Sequence, residues 1–205
     1  MLLLLLALCS LLQSFCCEAA SPNLPLWQKR TGLEPFQNAW RSLNAAPGTE
    51  YVLYQATYRH DNYSWGQDFK CLTVKTISVD KTHKCVTSNF TFQNATPGIH
   101  SVIEKVKAVR TNGSRTPNAF QYELGDGRSV TDNIIYTDRV CDLLNIPYKQ
   151  NGKGCELWVR KSFVNKVPKC CLFLFKIMCA NASHLLYDPE VCGDAQKPTN
   201  QLGQN

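Results

Sequence analysis

Nowhere in the chain do five or more like charges stand together. The 22 Lys and Arg against 16 Asp and Glu, a formal net charge of +6, are spread along it. Scattered charge of this kind leaves no footprint for nucleic acid and no polybasic segment for a membrane surface. Histidine is scarce. The four present (His60, His83, His100, His184) form no catalytic constellation, and His60 and Asp61, as neighbours at a strand end, point apart. Gly125–Gly127 reads GDG with no helix after it, so it is a hairpin turn rather than a phosphate loop. The cysteine-rich stretch 141–171 contains neither histidine nor a CxxC pair, which argues against zinc or any other metal. No apolar run is long enough to span a bilayer. The reading is a non-enzymatic protein with no cofactor, no metal and no membrane span.

What is present at the start is a short apolar run, MLLLLLALCSLL at Met1–Leu12, followed by small residues ending in Ala19. This has the form of a secretory leader, with cleavage expected after Ala19. Residues 1–19 are therefore read as a signal peptide, 20–192 as one domain, and 193–205, polar and free of aromatics, as a disordered tail. Secretion into an oxidising compartment makes disulfides the expected state of the eight cysteines outside the leader. Five sequons, at Asn62, Asn89, Asn94, Asn112 and Asn181, fit the same route, and Pro97 after Thr96 makes Asn94 the weakest of them.

Residues 33–43 carry Phe36, Ala39, Trp40 and Leu43 at helical spacing. Strands are read at 51–58, 69–79, 84–92, 102–110, 119–124, 129–137, 140–146 and 155–161, joined by short polar turns, with a second helix over 168–178. Eight strands in unbroken succession between two helices point to an all-β antiparallel meander closing into a barrel, although a sandwich has the same one-dimensional pattern. An eight-stranded barrel can hold one small ligand.

Alternation along the strands places side chains on faces. Glu104 shares the apolar face of Val102, Val106 and Ala108; Phe120 pairs with Tyr122, and Glu156 with Trp158. Tyr54, Ala56 and Tyr58 fall together, with Asp61 just beyond. Aromatic faces among carboxylates make a cage for an organic ammonium. The alternative is that Glu104 and Glu156 are buried structural ions paired with Arg110 or Arg128.

Cys141-Asp142-Leu143, Glu156-Leu157-Trp158 and Cys170 or Cys171 stand in the order CD[VIL]…ELW…C. NAWRSL, ATYRHD, WGQDFKCL, NAFQYELGDG and TDNIIYTD accompany them over residues 38–192. In these motifs the chain resembles the tick salivary lipocalins, the histamine-binding and japanin-like group. The resemblance implies a lipocalin barrel and disulfides Cys71–Cys192 and Cys141–Cys171, with Cys170 the rival partner. It leaves Cys85, Cys155, Cys179 and the spare of the adjacent pair unassigned, a Cys85–Cys155 bridge requiring that their strands face each other.

The resemblance also implies an amine pocket of Tyr58, Asp61, Glu104, Phe120, Tyr122 and Glu156, with Trp158 beside them. A second site would use Ser42, Trp65, Asp132 and Asp142. A ring of the family's first pocket is replaced by Val130, and an early acidic residue of the second site is lost in NAAPGT; one amine site is then the expectation. The function implied is evasion of host defence by sequestering histamine or serotonin. The other function it implies is a japanin-like modulator of host immune cells, dendritic cells in particular, with a sterol or other lipid in the barrel.

Overall fold

The computed structural model describes residues 25–29, 31–111, 113–124, 127–179 and 182–195. The expected leader and the residues after it to 24, Asn112, Asn181, part of the GDG turn and residues 196–205 lie outside them. Eight strands follow one another: β1 (Glu50–Ala56), β2 (Lys70–Asp80), β3 (Cys85–Gln93), β4 (His100–Val109), β5 (Ala119–Glu123), β6 (Ser129–Thr137), β7 (Cys141–Ile146) and β8 (Gly154–Arg160). Each is hydrogen-bonded antiparallel to the next, and β8 returns to β1, from Tyr51 opposite Arg160 to Ala56 opposite Glu156. The sheet thereby closes into a barrel and loses its edges, which decides against a sandwich. Two short pairings decorate it: His60–Asp61 with Gly66–Gln67, and His184–Leu185 against the end of β1.

The expected helix over 33–43 is broken. Thr31–Phe36 form a 3-10 turn containing Pro35, and the α-helix α1 is confined to Ala39–Leu43. The break has a local cause. Asn38 adopts an extended backbone and its side chain accepts from the Arg41 N–H at 3.0 Å, starting a new helix there. Helix α2 (Lys169–Met178) lies outside the barrel and turns Cys171, Phe175 and Met178 inward, and α3 (Pro189–Ala195) carries Cys192. The expected domain end at residue 192 thus falls inside a helix.

Alternation along the strands divides the apolar residues into two cores. Leu53, Leu72, Val86, Phe90, Phe92, Val106, Ala108, Phe120, Ile134, Leu144 and Trp158 fill the barrel. Val52, Ile135, Leu143, Leu157 and Val159 face out and are covered by Phe175, Met178, Tyr187 and Trp27. One face departs from strict alternation. A bulge between Leu53 and Gln55 leaves Leu53 and Ala56 inside and turns Tyr54 to the outer core, so Tyr54 does not join Tyr58.

Three disulfides fasten the outer layer: Cys71–Cys192, Cys141–Cys171 and Cys155–Cys179. Cys155 points outward to the end of α2. It cannot bridge Cys85, because β3 is separated from β8 by β1 and β2. Cys85 is left free and buried, and Cys170 free and exposed. Because Cys171 and not Cys170 closes the 30-residue loop, Cys171→Ala is expected to cost about 2–4 kcal/mol of unfolding free energy. Cys170→Ala should stay within about 0.5 kcal/mol of wild type. Guanidinium denaturation of the two variants checks this, and equal losses would contradict the assignment.

Candidate functional site

Four carboxylates enter the barrel from different elements. Asp61 comes from the loop after β1, Glu104 from β4, Asp132 from β6 and Glu156 from β8. All four line one cavity, together with Ser64, Trp65, Phe90, Tyr122, Val130, Tyr148 and Trp158.

The four are not equivalent. Glu156 is buried and accepts hydrogen bonds from the Tyr58 hydroxyl and from Trp158 Nε1, the latter at 2.8 Å. These donors, rather than Arg110 or Arg128, hold it. Burial pushes its pKa up to about 7 against the pull of those two hydrogen bonds, with Asp61 adding to the rise. Burial and the neighbouring Glu156 also hold the Tyr58 phenol well above its usual range, so it remains a donor. Glu104 is half-buried and makes no ion pair with a described residue. Burial, and then Asp61, raise it from 4.5 to about 7.

Asp132 is 4% exposed, and its Oδ1 has no hydrogen-bond partner among the described residues. Its pKa is raised, first by burial and next by Glu156. A buried polar atom without a partner costs about 1–3 kcal/mol, so such atoms are few and call for a reason.

Asp61, 2% exposed, has the cavity's one basic neighbour among the described residues. Lys149 Nζ sits 2.9 Å from its Oδ1, and the Tyr63 N–H donates to the same oxygen at 3.0 Å. The Lys149 ammonium also lies 5.3, 5.5 and 5.8 Å from the ring centres of Tyr58, Tyr63 and Tyr148. An acid and three aromatic faces around an ammonium is the cage the strand faces implied, with the protein's own lysine in it. The beginning of that stretch, the turn after β7, gave no sign of this in sequence, where YKQNGKG reads as polar.

A second cavity lies beneath α1. Leu43, Val74, Val86, Val106, Phe120 and Leu144 make it mainly apolar, and Phe90, Tyr122 and Trp158 are shared with the first. Its acid is Asp142, buried and satisfied by Ser42 Oγ at 2.6 Å and by the Thr137 hydroxyl. Burial lifts Asp142 to about 6 against these two donors.

The sequence-derived sets are therefore redistributed. Tyr122, Glu104, Asp61, Glu156 and Trp158 gather in the acidic cavity with Tyr58 hydrogen-bonded behind them, while Phe120 lines the apolar cavity. Of the second set, Ser42 and Asp142 belong to the apolar cavity and Trp65 and Asp132 to the acidic one. Lys149, Tyr148, Tyr63 and Thr137 were missed because they sit on loops or strand ends, where no periodicity reports facing. Phe90 was readable, since Phe90 and Phe92 alternate with Asn89 and Thr91.

Asp138, Cys141 and Cys171 cluster closely, but the two sulfurs are bonded to each other and the carboxylate accepts the Val140 and Cys141 N–H groups. Of the described sequon asparagines, Asn62 is exposed, whereas Asn89 and Asn94 are half-buried. The Asn94 amide is committed to Trp65 O at 2.9 Å.

The family described as tick histamine binding protein matches residues 27–194. The male-specific histamine-binding salivary protein of Rhipicephalus appendiculatus is 30% identical over 163 residues, covering 77% of this chain and 80% of the relative. Female-specific histamine-binding protein 1 of the same species is 29% identical over 153 residues, covering 74% and 79%. Among solved structures, japanin from that species, bound to cholesterol, aligns with a TM-score of 0.51 at 14% identity, covering 72% of this chain and 97% of that one, a likeness of fold. The chain belongs to the tick histamine-binding protein family of salivary lipocalins.

The charge state of Glu104 yields a pH test. Its pKa is higher folded than unfolded, so its contribution to stability is fully present below about 4.5 and is lost as pH rises to about 7. Glu104→Gln should raise Tm at pH 8 by roughly 2–4 °C, the value of about 1 kcal/mol in a domain of this size, and leave Tm at pH 4.5 unchanged. A lower Tm at pH 8 would contradict the account.

Proposed function

We propose that the acidic cavity binds a small biogenic amine, histamine or serotonin, as its ammonium form, and that the protein sequesters this mediator without turning it over. The observation that carries the reading is that Oδ1 of buried Asp132 has no partner among the described residues, in a cavity that also holds Glu104, Glu156 and Asp61. Mutually repelling carboxylates are stabilised by an incoming cation more than by any rearrangement of their own donors, and Trp65, Phe90, Tyr122 and Tyr148 offer ring faces to its apolar body. The histamine-binding names of the two relatives support the same choice. Among the described residues no helix is long and apolar enough to cross a membrane. In this reading the leader of residues 1–19 delivers a secreted product with Asn62 glycosylated, and its use is evasion of host defence.

The apolar cavity favours a second reading. Its aliphatic lining and its satisfied Asp142 suit a sterol or other lipid, as in a modulator of host immune cells. Isothermal titration separates the two. Saturable one-site binding of histamine or serotonin is expected at pH 7.5. It should be weakened roughly 30-fold or more by Glu104→Gln combined with Glu156→Gln, since losing a buried charge partner costs 2 kcal/mol or more. Binding should weaken as pH falls from 7 towards 5, where protons compete for Glu104 and Glu156 while the amine stays charged. No heat with either amine, together with a co-purified lipid in the native mass spectrum, would replace the first reading by the second.

A further inference from the structure

Lys149 reaches the cavity from the turn after β7, and the fold holds its backbone firmly. Gln150 Nε2 donates to Thr57 O at 2.6 Å, and Asn145 Nδ2 donates to Gly152 O at 2.9 Å. A β-carbon at Gly154 would stand 2.5 Å from Lys149 Cβ, so the glycine leaves room for the lysine stem. The side chain then crosses to the loop after β1. Its ammonium bonds Asp61 Oδ1 at 2.9 Å and His60 O at 3.0 Å, and only 11% of the side chain remains exposed. Three tyrosine rings surround it. A surface lysine has no need of such a seat, since its charge is better hydrated in water.

Resting on the amine reading above, we infer that Lys149 is a tethered competitor: its ammonium holds the seat on Asp61 that a ligand ammonium would otherwise take, and so sets which amines the cavity accepts. Two cations cannot share that seat. An amine either displaces Lys149, whose flexible stem can swing to the adjacent solvent, or settles on Glu104 and Asp132 while Lys149 keeps Asp61. In both cases the lysine charge opposes the entering one. The seat's aromatic walls retain it against exchange with bulk water by cation–π attraction. Lys149 is in this sense a specificity-determining residue placed outside the set of groups that would touch the ligand.

The test compares wild type, Lys149→Met and Lys149→Arg by calorimetric titration with histamine and serotonin, with thermal unfolding followed in parallel. Lys149→Met leaves Asp61 buried without its partner, so the protein alone should melt lower. Its amine affinity should nevertheless rise on the order of tenfold, with a larger amine-induced gain in Tm. Lys149→Arg, whose planar fork grips a carboxylate at two points, should bind amine no more tightly than wild type. A lysine that served only to stabilise the loop would lower the melting temperature without raising affinity. The inference is overturned if wild type binds and a natively folded Lys149→Met variant binds equally or more weakly, a result that leaves the amine reading intact. If Lys149→Met alone binds, the competitor is strong enough to close the site and the inference stands. If none of the three proteins binds either amine, the amine reading fails and the inference with it.

Discussion

A carboxylate carried from water into a protein interior keeps its charge only where something replaces its hydration, and this barrel brings four into one cavity. Two replacements are visible. Tyr58 and Trp158 donate to Glu156, and the Lys149 ammonium neutralises Asp61. They fall short of four full solutions. Glu104 has no described counter-ion, one oxygen of Asp132 has no partner among the described residues, and the shortfall is expressed as carboxyl groups raised towards neutrality. A cavity so arranged has an affinity for cations built into its electrostatics, before any particular ligand is named.

An interior that shares its apolar core with four carboxylates is supported from outside as well. The closed ladder satisfies the strand backbones. A second apolar core, formed where Val52, Leu143, Leu157 and Val159 meet α2, adds burial to that of the interior. The three disulfides run through that same outer layer. They tie β7 and β8 to α2 and the start of β2 to α3, and so fix the strands from which Asp142, Glu156 and Trp158 project.

The meander was legible because each strand carries β-branched and aromatic residues between turns. Ser129–Thr137 was placed to the residue, as were the start at Ala119 and the end at Ile146, and the other strand ends moved by one or two. Period-two alternation placed Glu104 with Val106 and Ala108, and Glu156 with Trp158, on the inner face. It misplaced Tyr54, because one bulge shifts the register between Leu53 and Gln55 and no residue in YVLYQATY announces it. The helix over 33–43 was overextended because Asn38 caps a new helix instead of continuing the old one. Loop residues were the blind spot. Lys149, Tyr148 and Tyr63 converge from two loops far apart in sequence, and that convergence is a product of barrel closure.

The central claim is that Glu104, Asp132 and Glu156 are held towards neutrality by burial and are ready to ionise against an external cation. Carbon-13 NMR titration of the glutamate side-chain carboxyls, with and without saturating histamine, measures this directly. The account predicts that Glu104 and Glu156 titrate near pH 7 in the protein alone and move well below that with histamine bound. Titration of both near 4.5 in the protein alone, or curves unmoved by histamine, would contradict it.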